Sequence, residues 1–332
     1  MNNVILHLNN WAIVGGIECT VMDLARAFPQ FHHILLTVHP QPESDDCIQT
    51  LRKTGVRYMC AQDDKFTEAM LKEINPSIIF LHNTKGRNLE GEYPYRWLTS
   101  GARIVAAHHG VTRPLIPADM DWFVSEYVRR PYRFSEGAMK NAVTLPPAIW
   151  PEPFLNIKRA QRDKIRIGRV HASKDNDKWK TEAYVDLLKQ VKGAEFFVVT
   201  MGGKKITDDP RFTFAPIVPG KTPEYLSEMD IFATWTDKLE TWGRVATEAN
   251  LSGIPVVARD RHDALTEQLY RSGGGLLVNS EQEFVEVLQM LVNNEKRRRE
   301  IGEQGYAWCL ENASTRKLQK EWTKLFLNWS VG

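Results

Sequence analysis

At 332 residues the chain is long for one domain and comfortable for two. Apolar residues make up 42% and charged residues 25%, which allows sizeable cores and argues against disorder on a domain scale. The formal net charge is +2, from 43 basic and 41 acidic side chains, so the total carries no nucleic-acid signature, although a local basic face fits within it.

In chain order, Val4 to Leu8 is a short apolar run closed at once by Asn9-Asn10, which reads as a buried strand and not as a signal peptide. Helical spacing follows from Ile17 to Phe28, with Val21, Leu24, Ala25 and Phe28 on one side. His33 to Val38 is a second strand, Phe66 to Ile74 a helix, and Ser77 to Leu81 a third strand. Arg103 to Ala107 and Trp122 to Ser125 make a fourth and a fifth. Strands separated by helices imply parallel pairing with crossovers. Leu145 to Pro153 then carries four prolines, and the missing amide donors make it a linker.

The alternation restarts beyond the linker. Strands are expected at Ile165 to Val170, Phe196 to Thr200, Phe212 to Ile217, Ile231 to Trp235, Ile254 to Ala258 and Gly275 to Val278. Helices are expected at Lys178 to Val191, Pro223 to Met229, Gly243 to Leu251, Gln282 to Val292 and Glu295 to Asn312, with a last one from Thr315 to Trp329. The pattern predicts an α/β chain of two doubly wound, Rossmann-like domains facing a cleft. Residues 1–150 form the first domain, 151–314 the second, and 315–332 a closing helix. Ligands of such sheets bind beyond the carboxyl ends of the strands, which directs attention to the loops after Leu8, Ala107, Val170, Thr200 and Trp235. Cys19, Cys47, Cys60 and Cys309 form no Cys-x-x-Cys pair, and no run of 18 apolar residues exists; the expectation is a cytoplasmic protein with reduced thiols.

The densest chemistry lies between Glu240 and Ala258. Glu240 falls in a loop, Glu248 lies eight residues on in a helix that begins near Gly243, and Gly253-Ile254-Pro255 leads into a buried strand. A helix start offers amides and positive dipole to a diphosphate. Carboxylates accept paired hydroxyl donors well, so Glu248 suits a ribose and Glu240 a sugar. This run resembles the signature of glycosyltransferase family 4, a group of retaining enzymes with the GT-B fold. Glu240, Glu248, Ala249, Gly253, Pro255, Val256, Val257 and Ala258 match its pattern, whereas Thr241-Trp242-Gly243 stands where the family usually has Gly-Phe-Gly.

The resemblance extends to other segments. Gly168-Arg169 matches the family's Gly-Arg at a strand end, followed by a lysine; together these contact the donor diphosphate. Lys174 and Lys178 are both candidates for that lysine, and the spacing before a helix favours Lys178. Two fixed cations would stabilise charge building on the departing β-phosphate. Gly15-Gly16-Ile17-Glu18 matches the family's Gly-Gly-x-Glu, where glycines let the backbone approach a ligand. His108-His109 follows the fourth strand, where the family often places a histidine facing the reactive carbon; strand alternation favours His109. Ser125 sits where the family often has a serine near the acceptor. Between residues 85 and 133 basic residues exceed acidic ones by three, densest at Arg129-Arg130-Pro131-Tyr132-Arg133. That run suits a phosphate-bearing acceptor or a membrane face, but such runs are more often a solvated surface.

The resemblance implies a metal-independent, retaining hexosyl- or pentosyltransferase with no cofactor. It would move a sugar from a nucleoside-diphosphate sugar to a hydroxyl of a glycan, a lipid-linked saccharide or a hydroxylated base in nucleic acid. The implied catalytic residues are His109, Arg169, Lys178 and Glu240. The implied donor site adds Gly15, Gly16, Thr241, Trp242, Gly243, Arg244 and Glu248, and the acceptor side His108, Ser125, Arg129 and Arg130. The first domain would hold the acceptor, the second the donor, and the last helix would cross back to the first domain. The alternatives are a nucleotide-sugar epimerase on the same fold and a non-catalytic relative that binds a nucleotide or glycan.

Overall fold

A computed structural model of the chain describes residues 3–9, 12, 15–37, 39, 45–60, 70–82, 101–110, 118–132, 141–147, 149–171 and 181–330. It divides into two compact units, Met1–Ala148 with Leu318–Gly332 and Ile149–Lys317.

In the first unit the strands are β1 (Val4–Asn9), β2 (His32–Thr37), β3 (Arg57–Cys60), β4 (Ile78–His82), β5 (Arg103–His108), β6 (Met120–Phe123) and β7 (Ala142–Thr144). They pair in parallel in the order β3-β2-β1-β4-β5-β6-β7. Both faces of such a sheet are covered, which is why β1, β4 and β5 are buried almost throughout. The helix Gly16–Ala27 follows β1 and buries Val21, Leu24 and Ala25. The chain order reverses between β1 and β4, and doubly wound sheets bind ligands at such a switch point.

In the second unit the strands are β8 (Ile165–Val170), β9 (Ala194–Thr200), β10 (Phe212–Pro216), β11 (Ile231–Thr234), β12 (Val256–Arg259) and β13 (Gly275–Val278). Their parallel order is β10-β9-β8-β11-β12-β13, with the reversal between β8 and β11. Two apolar clusters cover its faces, one around Tyr184, Phe196 and Phe284 and the other around Phe232, Ala249 and Leu265.

The helix Thr315–Ser330 begins in the second unit, where the Thr315 amide donates to the Ile149 carbonyl at 2.9 Å. From Leu318 onward it belongs to the first unit. There Leu318 and the fully buried Trp322 enter the core, with the Trp322 ring 5.0 Å from Phe80 and edge-on to Trp122 at 5.3 Å.

Several expectations need correcting. The fifth strand runs from Met120 and ends at Phe123, two residues before Ser125. The reason is local: Ser125 Oγ accepts from the Val128 amide at 3.1 Å and caps the helix Glu126–Arg129. The last two residues of the proline-rich stretch, Glu152 and Pro153, open the short helix Glu152–Leu155. Proline is tolerated in a first helical turn, where its missing amide has no partner to lose. The helix Asp46–Lys53 and strands β3 and β7 carry weak periodic signals and emerge only with the fold. Asp45 caps that helix by accepting from the Cys47 amide at 2.8 Å.

Candidate functional site

In the second unit, β8 ends at Arg169-Val170, and β11 runs into the loop that carries Glu240. Both lie at the carboxyl edge on either side of the chain reversal. Arg169 is 3% exposed; its Nη1 donates to the Trp235 carbonyl at 3.2 Å, and its guanidinium lies 5.2 Å from the centre of the Tyr184 ring. Burial pulls its pKa down to about 10, against the opposing pull of Tyr184 and Glu240. It therefore stays a cation at neutral pH, held by the Trp235 carbonyl and the Tyr184 ring and within the field of Glu240. Tyr184 is itself fixed by donating its hydroxyl proton to the Ala233 carbonyl at 2.8 Å.

The loop before the helix Arg244–Leu251 is clamped from below. The Glu240 amide donates to Asp263 Oδ2 at 2.7 Å, while Asp263 Oδ1 accepts from the Thr266 amide at 3.0 Å and caps the helix Ala264–Ser272. One buried aspartate thus ties the Glu240 loop to a neighbouring helix. Asp263 was not a candidate, since an aspartate before a helix reads as an ordinary cap. Gly243 has φ +79°, and a Cβ there would come within 2.8 Å of Leu265 Cδ1, so this position needs glycine for both conformation and space. Trp242 is buried and turns its indole N–H to Thr247 Oγ1 at 3.0 Å, while Gln268 donates to the same oxygen at 2.7 Å. Its ring shapes the loop from inside. Thr241 is half-buried.

Glu248 is 4% exposed, and its Oε1 lies 2.9 Å from Arg244 Nε one turn earlier. Arg244 opens the helix, where a cation stands against the dipole. Glu248 offsets that cost, and an anion bound at the helix start would offset it further. Lys174 and Lys178 lie outside the described residues.

In the first unit, Gly15 caps the helix Gly16–Ala27 with extended backbone, φ −162°. Among the described residues, a Cβ at Gly16 would meet nothing within 4 Å. Glu18, buried behind it, accepts from Asn9 Nδ2 at 3.1 Å.

The two histidines after β5 face different surroundings. His108 is 2% exposed, stacked on Phe123 at 4.3 Å, and its Nε2 meets Asp121 Oδ1 at 2.8 Å. His109 is half-buried beside the sheet's aromatic face, edge-on to Trp122 at 5.8 Å. Its Nε2 lies 2.9 Å from Nδ1 of His82. Ser125 spends its hydroxyl oxygen on the helix cap described above. Arg129 donates from Nη1 to Thr144 Oγ1 at 3.2 Å and lies 3.6 Å from Glu126, while Arg130 is exposed. The dense basic run is therefore partly consumed within the unit, and Arg133 lies outside the described residues. Among the described residues, no helix is long and apolar enough to cross a membrane.

Residues 209–308 match the family described as glycosyl transferases group 1. No curated protein matches the chain. Among solved structures, HepE of Anabaena in complex with UDP and glucose is similar over 98% of this chain and 100% of its own, with TM-score 0.78 and 13% identity. The sucrose-phosphate synthase of Thermosynechococcus elongatus is similar over 99% and 100%, with TM-score 0.76 and 14% identity. The pneumococcal O-GlcNAc transferase GtfA in complex with UDP and GlcNAc is similar over 98% of each chain, with TM-score 0.73 and 11% identity. The chain has the GT-B fold of these glycosyltransferases, two Rossmann-like domains with interleaved helices.

Proposed function

We propose that the chain is a retaining, metal-independent glycosyltransferase that moves a hexose from a nucleoside-diphosphate sugar to a hydroxyl acceptor. The observation that carries this reading is the gathering of Arg169, Glu240 and the start of the helix Arg244–Leu251 at the switch point of the second sheet. A buried arginine at that edge is pre-oriented for the diphosphate, so it loses little on binding and acts most strongly as negative charge grows on the leaving oxygen. Lys178 supplies the second cation. Glu248 accepts from the ribose hydroxyls, steered by Arg244. Glu240 meets hydroxyls of the transferred sugar. The departing β-phosphate takes the acceptor's proton, so the protein need supply no strong base. His109 hydrogen-bonds a hydroxyl on the side served by the first unit, where the acceptor binds.

UDP-glucose and UDP-GlcNAc are the first donors to try, because similar folds hold UDP with glucose or with GlcNAc. The purified protein is expected to hydrolyse one of them slowly with no acceptor present. Conversion of the donor into a different nucleotide sugar would mean an epimerase, and tight binding without turnover a non-catalytic relative.

A further inference from the structure

Four imidazoles cross the first sheet in a single line. His33 stands on β2 opposite Ile5 of β1, and His7 is two residues further along β1. His7 stands opposite Phe80 of β4, and His82 is two residues further along β4. His82 stands opposite Ala107 of β5, and His109 follows two residues later. Each step moves one strand across and two residues up. Side chains two apart share a face, so the row stays on one side of the sheet and climbs to its carboxyl edge.

The rings touch at every step. His33 Nε2 lies 3.1 Å from the Phe28 carbonyl oxygen, and His7 Nε2 lies 3.1 Å from His33 Nδ1. His7 Nδ1 lies 3.0 Å from His82 Nε2, and His82 Nδ1 lies 2.9 Å from His109 Nε2. His7 and His82 are fully buried against Phe80, His33 is 3% exposed and stacked on His7, and His109 lies edge-on to Trp122. Among the described residues, no three His, Cys, Asp or Glu side chains are arranged to hold a metal.

The direction of every bond in this line follows from its far end. A carbonyl only accepts, so His33 must carry its proton on Nε2. A neutral imidazole has one N–H, which leaves His33 Nδ1 as an acceptor and makes His7 donate from Nε2. The same step repeats at His82 and then at His109. Burial keeps the rings neutral: it holds His7 and His82 well below the usual histidine value and lowers His33 and His109 to about 4. Among the described residues, nothing bonds Nδ1 of His109.

We infer that His7, His33 and His82 are positioning residues whose hydrogen-bond line holds His109 as its Nε2–H tautomer, so that its Nδ1 lone pair accepts a hydrogen bond from a substrate hydroxyl. The ligand group at this point is then a proton donor. A phosphate or carboxylate oxygen brings no proton and meets a lone pair, so an anionic group is rejected here. The role given to the hydroxyl rests on the glycosyltransferase reading, whereas the tautomer can be observed with no substrate at all.

The test is a long-range proton–nitrogen NMR spectrum of the full chain labelled with ¹⁵N in its nine histidines. His109 is assigned by the signal lost in His109→Gln. At pH 7 the expected pattern is a protonated Nε2 and a bare Nδ1 on His109. In His7→Phe, which keeps a ring on Phe80 but cuts the line, His109 should shift to a mixture of tautomers. A bare Nε2 or an imidazolium at His109 in the native protein overturns the inference, and so does a pattern unchanged in His7→Phe. Should that variant not fold, His33→Gln interrupts the line at its origin, and the native spectrum alone still decides the tautomer. Loss of donor hydrolysis in His109→Gln bears on the functional reading separately.

Discussion

The two carboxyl edges of this chain use opposite electrostatics. On the second unit the key side chains are charged: Arg169 is a buried cation, and Arg244 and Glu248 face each other at 2.9 Å. On the first unit the corresponding edge carries a row of neutral imidazoles among aromatic rings. Fixed charge in a dry site suits a ligand whose own charge changes during reaction, which describes a departing diphosphate. Fixed tautomers suit a ligand that must be aimed and not ionised, which describes a hydroxyl. On the proposed reading, donor and acceptor would be served by charge on one edge and by hydrogen-bond direction on the other.

The largest effect that would sharpen this contrast is loss of the buried cation. Arg169→Ala should lower the rate of donor hydrolysis by roughly 100-fold or more while thermal unfolding moves far less. Lys178→Ala should behave similarly. A silent Lys178→Ala beside a crippled Lys174→Ala would reassign the second cation.

The two glutamates come next. Truncating Glu248 to alanine would remove the carboxylate 2.9 Å from Arg244 together with its volume, so the informative change is Glu248→Gln, which keeps the shape and removes the charge. It should weaken nucleoside-diphosphate binding by about tenfold, because hydrogen bonds to a charged group are each worth about 1.5–3 kcal/mol. Glu240→Gln should depress kcat and leave diphosphate binding nearly intact, since the product has no sugar to hold. Calorimetric titration of UDP into both variants decides it, and the reverse pattern would mean that the donor lies the other way round.

The neutral edge has its own signature in acid. An unfolded histidine takes a proton near 6.5, whereas His33 in the fold does so only near 4. The unfolded chain therefore binds more protons between those values. The stabilising contribution is fully present above about 6.5 and is lost as the pH falls toward 4. For His33 alone the full loss is about 3 kcal/mol. Denaturant unfolding of His33→Gln should accordingly fall less between pH 7 and pH 5 than that of the native chain. The smallest expected effect is none: activity should survive EDTA. Complete loss restored by manganese or magnesium would break the claim that the protein's own cations serve the diphosphate.

Some of this molecule could be read along the chain. Glu240 to Ala258 is contiguous, its glutamates are spaced by one short loop and one helical turn, and the strand after Pro255 is uniformly apolar; such a segment carries its own geometry wherever it folds. The alternating strands and helices likewise implied two doubly wound sheets, because parallel strands need crossovers. Other features had no local signal. His7, His33 and His82 lie far apart in sequence, each inside an ordinary apolar strand, and nothing in their neighbours marks them. Asp263 is a helix cap until the Glu240 amide is found 2.7 Å away. Trp242, which the resemblance places in the donor site, turns its indole N–H inward to Thr247, a contact no local pattern announces. Periodicity reports which face of an element is buried, and a motif reports what lies within a few residues. Which buried groups meet is set by strand order and register, and those are decided only when the sheet assembles.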